Sequence, residues 1–201
     1  MPKFLKDALI LCAITLTAGA LLAGVYEITK EPIRVQEELA KTNACQEVFE
    51  EAVSFEEITD ILDAAQAAVV SAGYENETLE TIMCAKDADG NVLGYVFQMC
   101  EANGYGGDIS FMVGIKKDHT VNGISILSIN ETAGLGMNAT EESFTGQFKN
   151  KQVDAFTYTK SGSTSDSEID AISGATVTTK AMVNGTNACI SAFDYIVKEG
   201  K

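Results

Sequence analysis

Apolar and polar positions change rhythm three times along this chain. From Ala8 to Tyr26 the residues ALILCAITLTAGALLAGVY carry no charge. That run approaches the roughly 20 residues a helix needs to cross hydrocarbon, so a membrane-spanning helix is expected there. Pro32 then punctuates the chain. Helical spacing follows in Val35, Leu39, Val48 and Phe49, and again in Phe55, Ile58, Ile61, Leu62 and Ala65. Two helices fit, with Gly73 closing the second. From Leu79 to Asn130 the rhythm is that of strands: ETLETIMCAK, a DADGN hairpin turn, VLGYVFQMC, DISFMVGIKK, a turn near Asn122 and Gly123, and ISILSIN. Such a series reads as an antiparallel meander. Helical spacing resumes in Met182, Cys189, Ala192, Phe193 and Ile196. The expected class is α+β, a single N-terminal transmembrane helix followed by a domain whose helices flank one antiparallel sheet. Residues 1–7 precede the span, 8–26 form it, 27–73 make a helical connector and 74–201 form the last domain.

Composition narrows the partners. The 201 residues suit one domain plus an appendage. Lys and Arg total 14 against 29 Asp and Glu, a formal charge of -15, so the phosphate-neutralising face of a nucleic-acid binder is missing. The same charge is repelled by an anionic lipid surface, so membrane attachment must be hydrophobic, through lipid around residues 8–26. A cleaved signal peptide is the competing reading, since Ala18, Gly19 and Ala20 make an A-x-A-like site. Apolar residues continuing through Val25, with Tyr26 placed for the interface, favour a retained anchor. Lys3 and Lys6 before the span nearly balance Lys30 and Arg34 after it, so charge bias sets orientation weakly. Ala20 and Gly24 are spaced to seat a neighbouring helix.

Cysteine and histidine exclude several chemistries. Cys12, Cys45, Cys84, Cys100 and Cys189 include no CxxC pair, which disfavours a zinc or iron–sulfur site built by this chain. With Asp89 and Gly90 at the hairpin tip, Cys84 falls opposite Tyr95, so a cross-strand disulfide to Cys100 is disfavoured. Most of these thiols read as small core hydrophobes. The single histidine, His119, sits in the turn KKDHTVNG and reads as solvated. No metal cluster and no serine triad is expected.

Three bare stretches remain. DAISGATVTTKA, Asp170–Ala181, contains four small residues between a carboxylate and further hydroxyls; alone it reads as a helix N-terminus capped by Ser173. Gly174 permits torsions closed to other residues and leaves the Thr176 hydroxyl approachable. GYGGDIS, Gly104–Ser110, and NETAGLGMN, Asn130–Asn138, lie at strand ends, where glycines usually mean turns or bulges. Together with SGAT they offer exposed amides and small side chains to line one flat ligand, and Glu131 and Thr132 supply a carboxylate and a hydroxyl for a heteroaromatic edge. Neither matches a phosphate-cradling GxxxxGK[ST] or a dinucleotide GxGxxG. The polar SGSTSDSE, Ser161–Glu168, reads as a surface loop leading into SGAT.

This constellation resembles the FMN-binding domain of the G subunit of the Rnf ion-translocating electron-transport complex, and its relative, the C subunit of the sodium-pumping NADH:quinone reductase. The likeness covers nearly the whole chain: the N-terminal span followed by VYEITKEPI, the GYGGDI stretch, the ETAGLG loop where the family commonly has ETPGLG, and DAISGAT, matching its D-x-x-[ST]-G-A-[ST] flavinylation motif. Ala133 stands where proline is usual, which loosens that loop. The resemblance implies that Thr176 carries FMN as a phosphoester, installed from FAD by a separate flavin transferase, with Asp170, Ser173, Gly174 and Ala175 completing the motif. It further implies that Gly106, Gly107, Glu131, Thr132, Gly134, Leu135 and Gly136 lie near the cofactor, Leu135 against the ring. Thr178 and Thr179 are read as not carrying FMN, being crowded by β-branched neighbours.

By the same resemblance the chain is an electron-relay subunit of a membrane complex coupling ferredoxin:NAD+ electron transfer to Na+ or H+ translocation. It would be single-pass in the cell membrane, its N-terminus cytoplasmic and its FMN domain extracytoplasmic, with the other Rnf subunits as partners. A tethered flavin reductase is the rival within redox chemistry, although these 201 residues leave no room for a second catalytic domain. A tethered adhesion module is the rival outside it, with the N-x-T triplets at Asn76, Asn130, Asn138 and Asn184 as glycosylation sites.

Overall fold

A computed structural model describes residues 2–198, in two compact units, Met1–Lys41 and Thr42–Lys201. The first unit is helical and belongs to α1 (Lys3–Val48). Among the described residues, α1 is the one helix long and apolar enough to cross a membrane. Three of its hydroxyls are satisfied within the helix: Thr15, Thr17 and Thr29 donate to the carbonyls of Leu11, Ala13 and Val25 at 3.1, 2.8 and 2.9 Å. Pro32 does not end the helix, contrary to the break read from sequence. It removes one backbone hydrogen bond, while ion pairs Glu27–Lys30, Glu31–Arg34 and Arg34–Glu38 lie on both sides of it. The expected first connector helix is therefore the continuation of the span.

The second unit is built on a six-stranded antiparallel sheet: β1 (Ser54–Glu57), β2 (Glu77–Lys86), β3 (Val92–Glu101), β4 (Ile109–Lys116), β5 (Thr120–Ser128) and β6 (Lys151–Gln152), in that spatial order. The meander is as read, and the domain is α+β. The stretch around Phe55 is a strand rather than part of a second helix. Phe55 pairs with Ala85 on the sheet edge, and four residues are too few for apolar period to separate strand from helix. Helix α2 (Leu62–Ser71) starts later and ends at Gly73, whose φ is +98°. The Asp87–Asn91 turn forms around Gly90, at φ +81°, with Asp87 accepting the amides of Asp89 and Asn91.

Asn122 and Gly123 do not turn the chain; it reverses at His119, φ 70°. Between Gly114↔Gly123 and Ile115↔Val121 the register slips, leaving Asn122 as an extra residue inside β5. Its side chain donates to the Val48 carbonyl. His119 is not merely solvated either: its Nε2 lies 2.9 Å from Asp194 Oδ1, and its ring meets Phe193 edge-on. Cys84 pairs with Tyr95 as read, and the five cysteines form no disulfide.

Both faces of the sheet are covered. Helix α4 (Thr176–Lys198) and α2 pack on one face, where Phe97, Phe111, Val113 and Ile115 meet Met182, Cys189 and Phe193. On the other, Cys45, Val48 and Phe49 at the end of α1 pack on Val96 and Met112. Gly114 makes room there, since a Cβ on it would stand 3.0 Å from the Val48 Cβ. After β5 come a 3-10 turn at Gly136–Thr140, α3 (Glu142–Thr145) and a parallel pair that sequence did not announce, β7 (Thr157–Thr159) with β8 (Glu168–Asp170). Strand β8 delivers the chain into SGAT.

Candidate functional site

Strands β4 and β5 form a hairpin whose open end carries two loops. The residues before β4 include Gly104–Gly107, and those after β5 include Asn130–Gly136. Glycine lets the two lie in contact. A Cβ on Gly106 would sit 1.9 Å from the Asn130 carbonyl oxygen, and one on Gly104 would sit 3.1 Å from Glu131 Oε1. The Tyr105 N–H donates to Glu131 Oε1 at 2.7 Å.

The third loop arrives from β8. Ala175 N–H donates to the Ile172 carbonyl at 3.0 Å, closing a turn in which Gly174 takes φ +76°. Helix α4 begins at Thr176, so the cap position falls on Ala175, which has no side-chain acceptor. Ser173 is exposed and precedes that position, which corrects its reading as the cap. Thr179 substitutes from inside: its Oγ1 accepts the Ile172 N–H and donates to the Ala175 carbonyl, both at 3.0 Å. The first amides of α4 are left without intrahelical partners, as at any helix start.

All three loops meet. A Cβ on Gly136 would stand 2.6 Å from Glu131 Oε2 and 2.7 Å from Thr178 Oγ1, and one on Gly174 would stand 2.9 Å from Leu135 Cδ2. Between them lies a cavity of about 470 Å³, lined by Tyr105, Glu131, Thr132, Leu135, Gly136, Gly174, Ala175, Thr176, Val177 and Thr178. That size suits a small organic ligand. Its rim is apolar and exposed at Tyr105, Leu135 and Val177. Its floor holds the hydroxyl of Thr178, a residue only 1% exposed, and that hydroxyl has no hydrogen-bond partner. An orphaned hydroxyl in a cavity wall fits a site made for a polar group of a ligand.

Of the residues singled out from sequence, Glu131, Thr132, Leu135, Gly136, Gly174, Ala175 and Thr176 line this cavity. Gly106, Gly107, Gly134, Asp170 and Ser173 do not. Gly106 supports the wall through Asn130, and Gly107 and Gly134, at φ +125° and +74°, shape their loops. Asp170 fixes the approach to SGAT: its N–H donates to Gln147 Oε1 at 2.6 Å, and its carboxylate accepts from Ser163. Tyr105, Val177 and Thr178 also line the wall; they lie within the stretches singled out from sequence but are not read there as ligand contacts. Thr176 is half-buried, Val177 exposed, and Thr178 and Thr179 buried; burial, more than β-branched crowding, separates the three hydroxyls.

Comparisons with known proteins agree along the chain. Residues 104–191 match the FMN-binding domain family, and residues 2–48 match the RnfG N-terminal region. The chain is 33% identical to the G subunit of the Na(+)-translocating ferredoxin:NAD(+) oxidoreductase complex of Acetobacterium woodii, over 96% of this chain and 93% of that one. It is 34% identical to the G subunit of the proton-translocating ferredoxin:NAD(+) oxidoreductase complex of Clostridium ljungdahlii, over 92% and 87%. In fold it is similar to NqrC of Shewanella oneidensis, with TM-score 0.54 and 16% identity over 76% of this chain and 88% of that one. The C subunit of the Na(+)-translocating NADH-quinone reductase of Parabacteroides distasonis gives 0.50 and 22%, over 72% and 77%.

Proposed function

Because this chain belongs to the family of G subunits of ion-translocating ferredoxin:NAD+ oxidoreductase complexes, we propose that it is their flavin-bearing electron relay, with FMN held covalently on Thr176. The observation that carries this reading is the convergence of SGAT and ETAGLG on one cavity, with Thr176 the accessible hydroxyl on its edge. The chain is a subunit of an oxidoreductase and translocase, its coupling ion Na+ or H+ as in its relatives. Other subunits of that complex are its partners.

FMN, when bound, supplies one- and two-electron exchange. The residues supply the rest. Thr176 Oγ would be the atom that bonds phosphorus when a flavin transferase breaks the FAD pyrophosphate, with AMP leaving and the hydroxyl proton passing to solvent. Amides at the start of α4 favour the phosphate's negative charge. Leu135 and Tyr105 offer apolar surface to the ring, the Thr178 hydroxyl offers a hydrogen bond, and Glu131 sets the local charge. Gly174 and Gly136 keep Cβ atoms out of the space the ligand and loops share.

A relay domain outside the cytoplasm loses any dissociated cofactor, which gives the covalent bond its use. In this reading α1 spans the membrane once through residues 8–26, surrounded by lipid, with residues 1–7 cytoplasmic and the FMN-binding domain, from residue 74, extracytoplasmic. The connector contributes β1 and α2 to that domain. Coexpression of the full chain with a flavin transferase tests the reading: the purified protein should be yellow and stay fluorescent after denaturation. Flavin that washes out on denaturation would refute the covalent link.

A further inference from the structure

Two acidic side chains with no part in the flavin reading are buried side by side. Glu77 and Glu101 are register partners on β2 and β3, 3% and 0% exposed. Glu101 Oε1 accepts the Asn103 N–H at 2.8 Å, and Glu77 Oε2 accepts the Asn76 N–H at 3.0 Å. The second oxygen of Glu101, Oε2, is buried without a donor, and the carboxyl beside it is that of Glu77. Like charges held this close in a buried place oppose each other, whereas one proton between the two carboxyls relieves both. Burial is the main cause that pushes Glu101 up, to about 7; the Asn103 N–H opposes the shift and Glu77 adds to it.

The surroundings offer no relief. Tyr74, just ahead of β2, has its hydroxyl pushed up mainly by burial, and the charge of Glu77 adds to that. From α2, Gln66 binds the Glu77 carbonyl and the Leu79 N–H. Around the adjacent Cys100 stand Glu80 and Asp108, also acidic. None of the interactions that shift Glu101 comes from a cation.

This pair is joined to the cavity wall by one short loop. Glu101 holds the Asn103 amide and Glu131 holds the Tyr105 amide, at 2.8 and 2.7 Å. Two residues of chain span at most about 7 Å, so the loop hangs between a carboxyl able to keep a proton and a carboxylate that lines the cavity. Ile109, the partner of Glu101 on β4, touches the same loop, since a Cβ on Gly104 would lie 3.0 Å from its Cγ1.

We propose that Glu77 and Glu101 form a proton-binding site linked to the electron load of the flavin in the neighbouring cavity. This rests on the flavin reading above. An electron delivered by a one-electron carrier of the complex adds one negative charge to the cavity, and one proton from solvent joins a carboxylate oxygen of the pair. When the electron passes to the next carrier, the O–H bond breaks and the proton returns to solvent. Linkage makes the effect reciprocal: the proton on the pair favours the electron as much as the electron favours the proton.

The test uses the flavin-loaded full chain and its flavin-free counterpart. In the loaded wild type, midpoint potential against pH should steepen around pH 7; Glu101→Gln should lose that steepening and Glu77→Gln should move it to lower pH, both keeping wild-type circular dichroism. In the flavin-free chain, infrared spectra should show a protonated carboxyl below about pH 6 that disappears above about pH 8 and is missing in Glu101→Gln. Should Glu101→Gln fail to fold, Glu77→Gln carries both measurements, each transition moved to lower pH. Wild-type slopes in a folded variant, or no protonated carboxyl in the wild type, would overturn the proposal. A colourless chain would instead refute the flavin reading, and the proposed link with it, while the infrared titration still reports on the pair alone.

Discussion

The Tyr105 backbone N–H donates to Glu131 Oε1 at 2.7 Å, tying the loop before β4 to the loop after β5. One carboxylate thus both shapes the cavity and charges it. Replacing it by Glu131→Gln keeps the size and weakens a charge-assisted hydrogen bond. Removal of a negative charge near the ring eases reduction, so the flavin midpoint potential should rise while thermal stability changes by about 1 kcal/mol or less. Redox titration checks it; an unchanged potential at equal flavin content would place Glu131 away from the ring.

Gly136→Ala should be felt where Gly123→Ala is not. The new Cβ at Gly136 would stand 2.6 Å from Glu131 Oε2 and 2.7 Å from Thr178 Oγ1, whereas nothing lies within 4 Å of one at Gly123. Overpacking of this kind costs about 1–3 kcal/mol, and it also pushes Glu131 away from Tyr105. Denaturant unfolding should show that loss for Gly136→Ala, together with reduced flavin content, and a near-neutral Gly123→Ala.

The meander could be read from sequence because β2 mixes apolar with polar positions in a strand-like way, β3 and β4 are long apolar runs, and a DADGN turn separates the first two. Strands β1, β6, β7 and β8 could not. They have two to four residues, mostly polar, and their pairing is decided by what lies beside them in the fold. Asn122–Gly123 misled because the dipeptide that favours a hairpin turn also suits a bulge. In the site, SGAT and ETAGLG were legible as motifs. Thr178 and Tyr105 were not, since their places depend on α4 beginning at Thr176 and on how closely Gly136 approaches. Glu77 and Glu101 carry no local sign of burial; only the register of β2 with β3 brings them together.

Stability should fall as pH rises from about 4.3 toward neutrality. Glu101 is pushed up to about 7 in the folded chain, against about 4.3 for an unperturbed glutamate. Between those values the folded state binds a proton that the unfolded state has released, so unfolding free energy decreases with rising pH. The stabilisation is full below the unfolded value and gone above the folded one. Thermal melts of the flavin-free chain should show this decline, and Glu101→Gln should flatten it.

Orientation has its own measurement. Protease added to intact cells should cut residues beyond about 27, and the exposed loop at Ser161–Asp166 is a suitable target. Protection in intact cells with cleavage in inverted vesicles would reverse the topology.

Thr176 itself decides the account. With a flavin transferase present, mass spectrometry of the wild-type chain should place an FMN-sized adduct on the peptide containing Thr176. Thr176→Ala should fold, with wild-type circular dichroism, and show no fluorescent band after denaturing electrophoresis. Thr178→Ala and Thr179→Ala, which alter hydroxyls buried beneath the site, should remain labelled. A fluorescent Thr176→Ala band, or an adduct mapped to another residue, would contradict it.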